Sequence, residues 1–354
     1  MRDFKTLSTV VLSSLFITSF AFCSSQTRKE HPPGDTQKPN TDCKPAFEGQ
    51  ARIPGVETDT PYEVTILTDD LTAPWAVTTL PDGRLAITEK AGSMRLFTAT
   101  GQLSDPITGF PEVDDREQGG LLDVAPAPDF TTSRMLYFTF AEKTPQGSLT
   151  AVGKGKLSTD EQRIEDFRVI YRAIPYYDNS MHFGSRILFD DSGNIFISTG
   201  ERSDLATRPN AQLLDKAHGK VIRITPEGQP VAGNPFIDTP GALPEIYSYG
   251  HRNPQGLAFH PVTGELWLSE MGPRGGDELN RIKPGKNYGW ATITYGIEYS
   301  GEKIGDGITQ KEGLEQPVYY WDPVLSPSGM VFYRSDAIPE WQNNLFIGGL
   351  SSKH

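Results

Sequence analysis

From about residue 60 the chain alternates short apolar runs with glycine turns, and no stretch keeps a helical period over a useful length. Three segments share one layout: Pro81-Asp82-Gly83-Arg84-Leu85-Ala86-Ile87-Thr88-Glu89, Asp191-Ser192-Gly193-Asn194-Ile195-Phe196-Ile197-Ser198-Thr199 and Val262-Thr263-Gly264-Glu265-Leu266-Trp267-Leu268-Ser269-Glu270. Each is a glycine turn followed by a strand, as in a hairpin. Met135–Phe140 and Asn343–Ile347 fill the same place in two further units. The strands ahead of the turns align as well. Anchored on Val77, Leu122, Arg186, Leu257 and Met330, they put Ala73, Gln118, His182, Asn253 and Ser326 in one column, at spacings of 45, 64, 71 and 73 residues. Units of this size built from short strands predict an all-β fold, a β-propeller with loop insertions.

In a propeller the innermost strand of each blade lines a central channel, so one column of residues becomes a ring at one mouth. Gln118, His182 and Asn253, with neighbouring Arg252, are therefore expected to converge from three blades. A lone histidine beside a strand is more often a packing residue. A base, a cation and two amides meeting at one place make a candidate site. The next slot of the column falls beyond His354, so the last blade is expected to be incomplete at the C-terminus. The run Tyr62-Glu63-Val64-Thr65-Ile66-Leu67 is a candidate strand to join that blade.

The formal net charge over 354 residues is −12 and no run of five like charges occurs, which argues against nucleic acid as a partner and suits a small or neutral substrate. Residues 1–22 read as an export signal, with Arg2 and Lys5 ahead of the apolar run Val10–Phe22. Two readings of its end stand side by side: cleavage after Ala21, or lipid attachment at Cys23. Either places the protein in the periplasm or outside the cell, with a lipid on Cys23 as the one expected membrane contact. Residues 23–58 read as a flexible linker and 59–354 as the propeller domain. Cys23 and Cys43 are the only cysteines, which excludes a disulfide framework. Monomer and dimer remain open.

Six further motifs occur in order: Glu117-Gln118-Gly119-Gly120-Leu121-Leu122-Asp123, His182-Phe183-Gly184-Ser185-Arg186, Tyr249-Gly250-His251-Arg252-Asn253-Pro254-Gln255-Gly256, Glu270-Met271-Gly272-Pro273, Gly275-Gly276-Asp277-Glu278-Leu279-Asn280 and Lys286-Asn287-Tyr288-Gly289-Trp290. As an ordered set over about residues 60–354 they resemble the soluble sugar dehydrogenases that use pyrroloquinoline quinone (PQQ), the glucose/sorbosone dehydrogenase family. The resemblance implies a six-bladed propeller, PQQ and Ca²⁺ as cofactors, and oxidation of an aldose at C1 with an electron acceptor that the sequence does not identify. It implies that His182 is the general base and that Arg252 polarises the quinone. Gln118 and Asn253 are then amides that contact the cofactor. Gly272 and Pro273 would offer backbone carbonyls to a calcium bridging to PQQ, and Glu278 and Tyr288 would hold a second calcium.

Three departures from the family pattern are visible. Met181 stands where some members carry an acid before the base, so a backbone carbonyl or a water is expected to set the imidazole. Ser351 lies nearest the slot of a lysine found in some relatives. The arginines that clamp the cofactor carboxylates in relatives would lie beyond His354, so this chain is expected to bind PQQ weakly. Two rival readings are a calcium-dependent lactonase and a non-catalytic binding propeller. The first calls for several carboxylates on the axis, where the column offers Gln, His and Asn. The second predicts loss of the His/Arg pair, and both residues are present. Tyr171, Tyr176, Tyr177, Trp290, Tyr295 and Trp321 could stack on a sugar, although loop packing is the commoner use of such residues.

Overall fold

The computed structural model describes residues 35–56 and 58–351. Its architecture is an all-β propeller arrangement of antiparallel sheets following one another along the chain. The first sheet has three strands, β1 (Pro74–Thr79), β2 (Leu85–Glu89) and β3 (Ser93–Phe97). The second has β4 (Leu121–Pro126), β5 (Met135–Thr144), β6 (Gly147–Leu157) and β7 (Ile164–Arg172). The third has β8 (Gly184–Phe189), β9 (Ile195–Thr199), β10 (Lys220–Ile224) and β11 (Ile246–Tyr249). The fourth has β12 (Pro254–Phe259), β13 (Leu266–Glu270), β14 (Asp277–Ile282) and β15 (Tyr319–Trp321). β16 (Pro327–Phe332) pairs with β17 (Leu345–Gly349) as a fifth, two-stranded sheet. The first strand of each sheet touches the first strand of the next, so β1, β4, β8, β12 and β16 form one inner arc.

The three aligned segments are the hairpins that the sequence predicts. Gly83, Gly193 and Gly264 take φ of 85°, 77° and 69° at the same place in each turn, a backbone that only glycine adopts without strain. Period-two alternation sends successive side chains to opposite faces of a sheet. Ile195 and Ile197 pack toward the second sheet with Tyr137 and Val152, while Phe196 packs toward the fourth with Leu257 and Leu268. The core is thus a series of apolar layers between neighbouring sheets.

A repeated hydroxyl ties the inner arc together. Each inner strand has a register shift near its start where it pairs with the second strand. Such bulges leave backbone groups unpaired and re-aim side chains. Thr88, Thr139 and Ser198 fill these gaps. Thr88 Oγ1 accepts from Ala76 N–H (3.1 Å) and donates to the Leu122 carbonyl of the next sheet (2.5 Å). Thr139 does the same between Asp123 and Ser185, and Ser198 between Arg186 and Pro254. Ser269 is the fourth of the series, and its buried hydroxyl has no partner among the described residues.

Two expectations are corrected here. The linker expected over 23–58 is held against the fourth sheet from Asn40 onward. Asn40 N–H and Thr41 N–H donate to the Asp322 carboxylate at 2.7 and 2.9 Å, Gln50 is fully buried, and Arg52 donates to the Asp322 carbonyl. Backbone amides saturated by a carboxylate order a polar segment without any apolar anchor. Among the described residues the run Tyr62–Leu67 pairs with no strand, and Tyr62, Val64, Ile66 and Leu67 are all exposed. Its approach is fixed instead by Thr58 and Thr60, both bonded to Glu340. The export signal and Cys23 lie outside the described residues. Among those residues, no helix is long and apolar enough to cross a membrane.

Candidate active site

The column converges as its spacing implied. Ala73, His182, Asn253 and Ser326 lie one or two positions ahead of β1, β8, β12 and β16, and Gln118 lies three ahead of β4. His182 itself has φ of 49°, a left-handed backbone that few non-glycine residues take, and Gly184 follows at 67°. The turn is held from a neighbouring sheet: Gln118 Oε1 accepts from His182 N–H at 2.8 Å. Asn253 Oδ1 accepts from Gly184 N–H at 3.1 Å, and Asn253 is fully buried. Gly200 leaves the room this needs, since a Cβ there would collide with the His182 carbonyl and crowd the Asn253 amide.

The group that orients the imidazole is Glu201, two residues past the end of β9. Its Oε1 lies 2.9 Å from His182 Nδ1, with both side chains nearly buried. The expectation of a backbone carbonyl or a water is therefore corrected. A carboxylate accepting from Nδ1–H fixes the tautomer that leaves Nε2 with a free lone pair. Nε2 makes no hydrogen bond to the described residues. The second oxygen of Glu201 accepts from Ser203 N–H at 2.9 Å. Burial, with the Arg252 charge second, lowers the His182 pKa to about 4, against the opposing pull of Glu201. The ring is neutral at pH 7 and able to accept a proton. Arg202 pins the approach to His182 through the carbonyls of Met181, Asn179 and Ser148.

One signal in the sequence pointed to Glu201. Thr88-Glu89 and Ser269-Glu270 end their strands with a hydroxyl residue and then an acid, and Ser198-Thr199-Gly200-Glu201 is the same ending with two residues inserted before the acid. All three acids hold the loop ahead of the inner strand. Glu89 accepts from Thr72 N–H, and Glu270 from Arg252 N–H at 2.6 Å.

Arg252 is the cation beside the histidine. Its Nη1 donates to the Met271 carbonyl (2.9 Å) and the Gly272 carbonyl (2.5 Å), and its guanidinium lies 5.2 Å from the Trp290 ring centroid. Its Nε is buried without a partner. A cavity of about 200 Å³ opens beside this ring, lined in part by Gln118, Phe183, Asn253, Gln255 and Met271. Of the six aromatics, Trp290 lies against Arg252, whereas Tyr295 is stacked on Tyr320 and Tyr171 is bonded to Glu245.

Glu278 and Asp277 are not surface carboxylates. Asp277 accepts from the Gly272, Leu325 and Ser326 amides at 2.7, 2.7 and 2.6 Å, and so sets the Gly272-Pro273 turn against the start of β16. Burial nevertheless raises its pKa to about 6. Glu278 is half-buried, and burial with the neighbouring Glu270 charge pushes it well above the carboxylate range. One Asn280 amide group donates to both Glu270 and Glu278 at 3.1 Å. Beside them is a void of about 10 Å³, the size of one water or ion, lined by Glu270, Gly272, Pro273, Glu278 and Tyr288. Two carboxylates, Glu270 buried and Glu278 half-buried, have no Lys or Arg ion pair among the described residues, and although Arg252 also lines the void this set of oxygens fits a hard cation. The Gly272 carbonyl already accepts from Arg252, which leaves one lone pair for an ion.

The sequence matches the model of the glucose/sorbosone dehydrogenase family over residues 71–354. It is 47% identical over 293 residues to the aldose sugar dehydrogenase YliI of Escherichia coli (strain K12), covering 82% of this chain and 78% of that protein. The structure is similar to the apo-form crystal structure of the soluble aldose sugar dehydrogenase of E. coli, with a TM-score of 0.77 at 46% identity over 81% of this chain and 82% of the other. It is also similar to the PQQ-bound aldose sugar dehydrogenase of Streptomyces coelicolor, with a TM-score of 0.66 at 30% identity over 82% and 78%. With the ring of Gln118, His182, Arg252 and Asn253 in place, the chain is an oxidoreductase that belongs to the glucose/sorbosone dehydrogenase family.

Proposed function

We propose that the protein oxidises aldose sugars at C1 to lactones with PQQ and Ca²⁺. The observation that carries this reading is the buried Glu201–His182 pair, whose Nε2 is free among the described residues, close enough to Arg252 to feel its charge and held by Gln118 and Asn253, which line the cavity. His182 Nε2 takes the proton of the anomeric hydroxyl, and Glu201 stabilises the imidazolium that results. Arg252, a fixed cation in a dry site, stabilises the negative charge that develops next to it. Gln118, Asn253 and Gln255 line the cavity with amides suited to carbonyl and carboxylate groups, and Phe183 and Met271 suit a planar ring system.

When bound, PQQ would supply the two-electron acceptor for the C1 hydride, and calcium the Lewis acidity that favours it. The carbonyls of Gly272 and Pro273 would hold one ion, and Glu278 with the Tyr288 carbonyl a second. The same reading includes a six-bladed ring, one blade more than the sheets described, and export to the periplasm with or without a lipid on Cys23. The relatives support it as sugar dehydrogenases, one of them with PQQ bound.

Purified full-length protein given PQQ and Ca²⁺ is expected to reduce an artificial dye when aldoses are added. No dye reduction, together with no absorbance change on adding PQQ, would overturn the reading.

A further inference from the structure

Two side chains from the first sheet line the cavity without belonging to the ring. Trp75 lies on β1, and Lys90 directly follows β2. The Trp75 indole is only partly buried, yet it is held on several sides. It packs on Leu122, Ala141 and Phe183, and the Arg186 guanidinium lies 4.4 Å from its ring centroid. Arg186 is itself anchored to both neighbouring sheets. Its Nε donates to the Gln255 carbonyl at 2.5 Å and its Nη1 to the Asp123 carboxylate at 3.3 Å. An aromatic ring braced by a side chain tied to two other sheets is a rigid wall, not a loosely packed surface residue.

Lys90 differs in kind. Its ammonium donates to the Glu117 carbonyl, and it forms no ion pair among the described residues. The other polar side chains of the cavity are amides and Glu117. Lys90 is therefore a cation with charge to spare at the edge of a cavity whose proposed occupant is a planar aromatic polycarboxylate.

We propose that Trp75 and Lys90 are cofactor-contacting residues: the indole packs on the ring system, and Lys90 Nζ pairs with a carboxylate. This rests on the PQQ reading above. It assigns to the first sheet a positive charge toward the cofactor within the chain's own described residues.

The test is equilibrium binding of PQQ alone to the full chain, with Ca²⁺ held constant, at low and moderate salt. Lys90→Gln is expected to weaken binding about tenfold and to flatten its salt dependence, as loss of one charge-assisted bond requires. Lys90→Arg is expected to restore both. Trp75→Phe is expected to weaken binding a few-fold with its salt dependence intact. The melting temperature of each PQQ-free variant reports whether the fold persists. Wild-type binding with unchanged affinity in folded Lys90→Gln and Trp75→Phe overturns this assignment and spares the PQQ reading. No binding by the wild type overturns both.

Discussion

Two buried histidine–glutamate pairs stand in successive sheets, each with its partners 19 residues apart, and only one of them keeps its second ring nitrogen unpaired among the described residues. His182 Nδ1 meets Glu201 at 2.9 Å and His251 Nδ1 meets Glu270 at 3.0 Å. Each acid ends, or nearly ends, the second strand of its sheet, and each holds the loop ahead of the first strand. What differs is the far side of the ring. His251 Nε2 is capped by Ser248 Oγ at 2.9 Å, and its imidazole stacks on Tyr288. His182 Nε2 is left free beside Arg252. A histidine–carboxylate pair is therefore a device for fixing a loop in this propeller, and under the proposed function it serves as a base where the second nitrogen is left unpaired.

The largest expected effect separates the two rings directly. His182→Ala should lower turnover by about 10³-fold, within the range of general-base contributions, while PQQ binding stays within a few-fold. His251→Gln should retain most of the turnover and instead lower the melting temperature. Equal loss of turnover in both folded variants, measured by steady-state dye reduction, would erase the distinction.

Next in size is Glu201→Gln, expected to reduce kcat by roughly 10²-fold through loss of the tautomer and of imidazolium stabilisation. Because Glu201 favours the charged ring, its removal should move the acid limb of the rate profile below its wild-type position near pH 4. Arg252 opposes that charge, so Arg252→Gln should move the limb upward while lowering kcat. A pH–rate series on the two variants checks both signs.

Stability carries a smaller signature of the same pair. The folded His182 pKa of about 4 lies below the unfolded value near 6.5. The unfolded chain therefore binds the extra proton first, and stability should fall as pH drops through 6.5 and continue falling to about 4. Denaturant midpoints at pH 7 and pH 5 should differ less in His182→Gln than in the wild type. The smallest effect concerns Ser248→Ala, which frees His251 Nε2 at a cost of about 1 kcal/mol. It should leave turnover unchanged, since an unpaired nitrogen without a cavity has no substrate to meet.

Much of this was legible along the chain. The glycine turns at Gly83, Gly193 and Gly264 marked the hairpins, because a left-handed turn admits few other residues. The column through Gln118, His182 and Asn253 marked the channel mouth, because one side-chain position per repeat must end on one ring. Those are local rules of turn chemistry and of period, and a linear sequence carries them in full. The partner of His182 was not legible, although the endings Thr88-Glu89 and Ser269-Glu270 contained the pattern, because Thr199 and Gly200, inserted after Ser198, shift Glu201 out of register. Nor could a one-dimensional pattern show that Asp277 is buried and Glu278 half-buried, or that residues 40–52 lie on the fourth sheet. A carboxylate reads as surface until the fold supplies amides to saturate it, and Asp277 and Asp322 each collect backbone donors from segments far apart in sequence. The sequence by itself determined the strands, their repeat and the residue types brought to the ring. Only the tertiary structure decided which histidine keeps a free nitrogen, because that depends on what the neighbouring blades place against it.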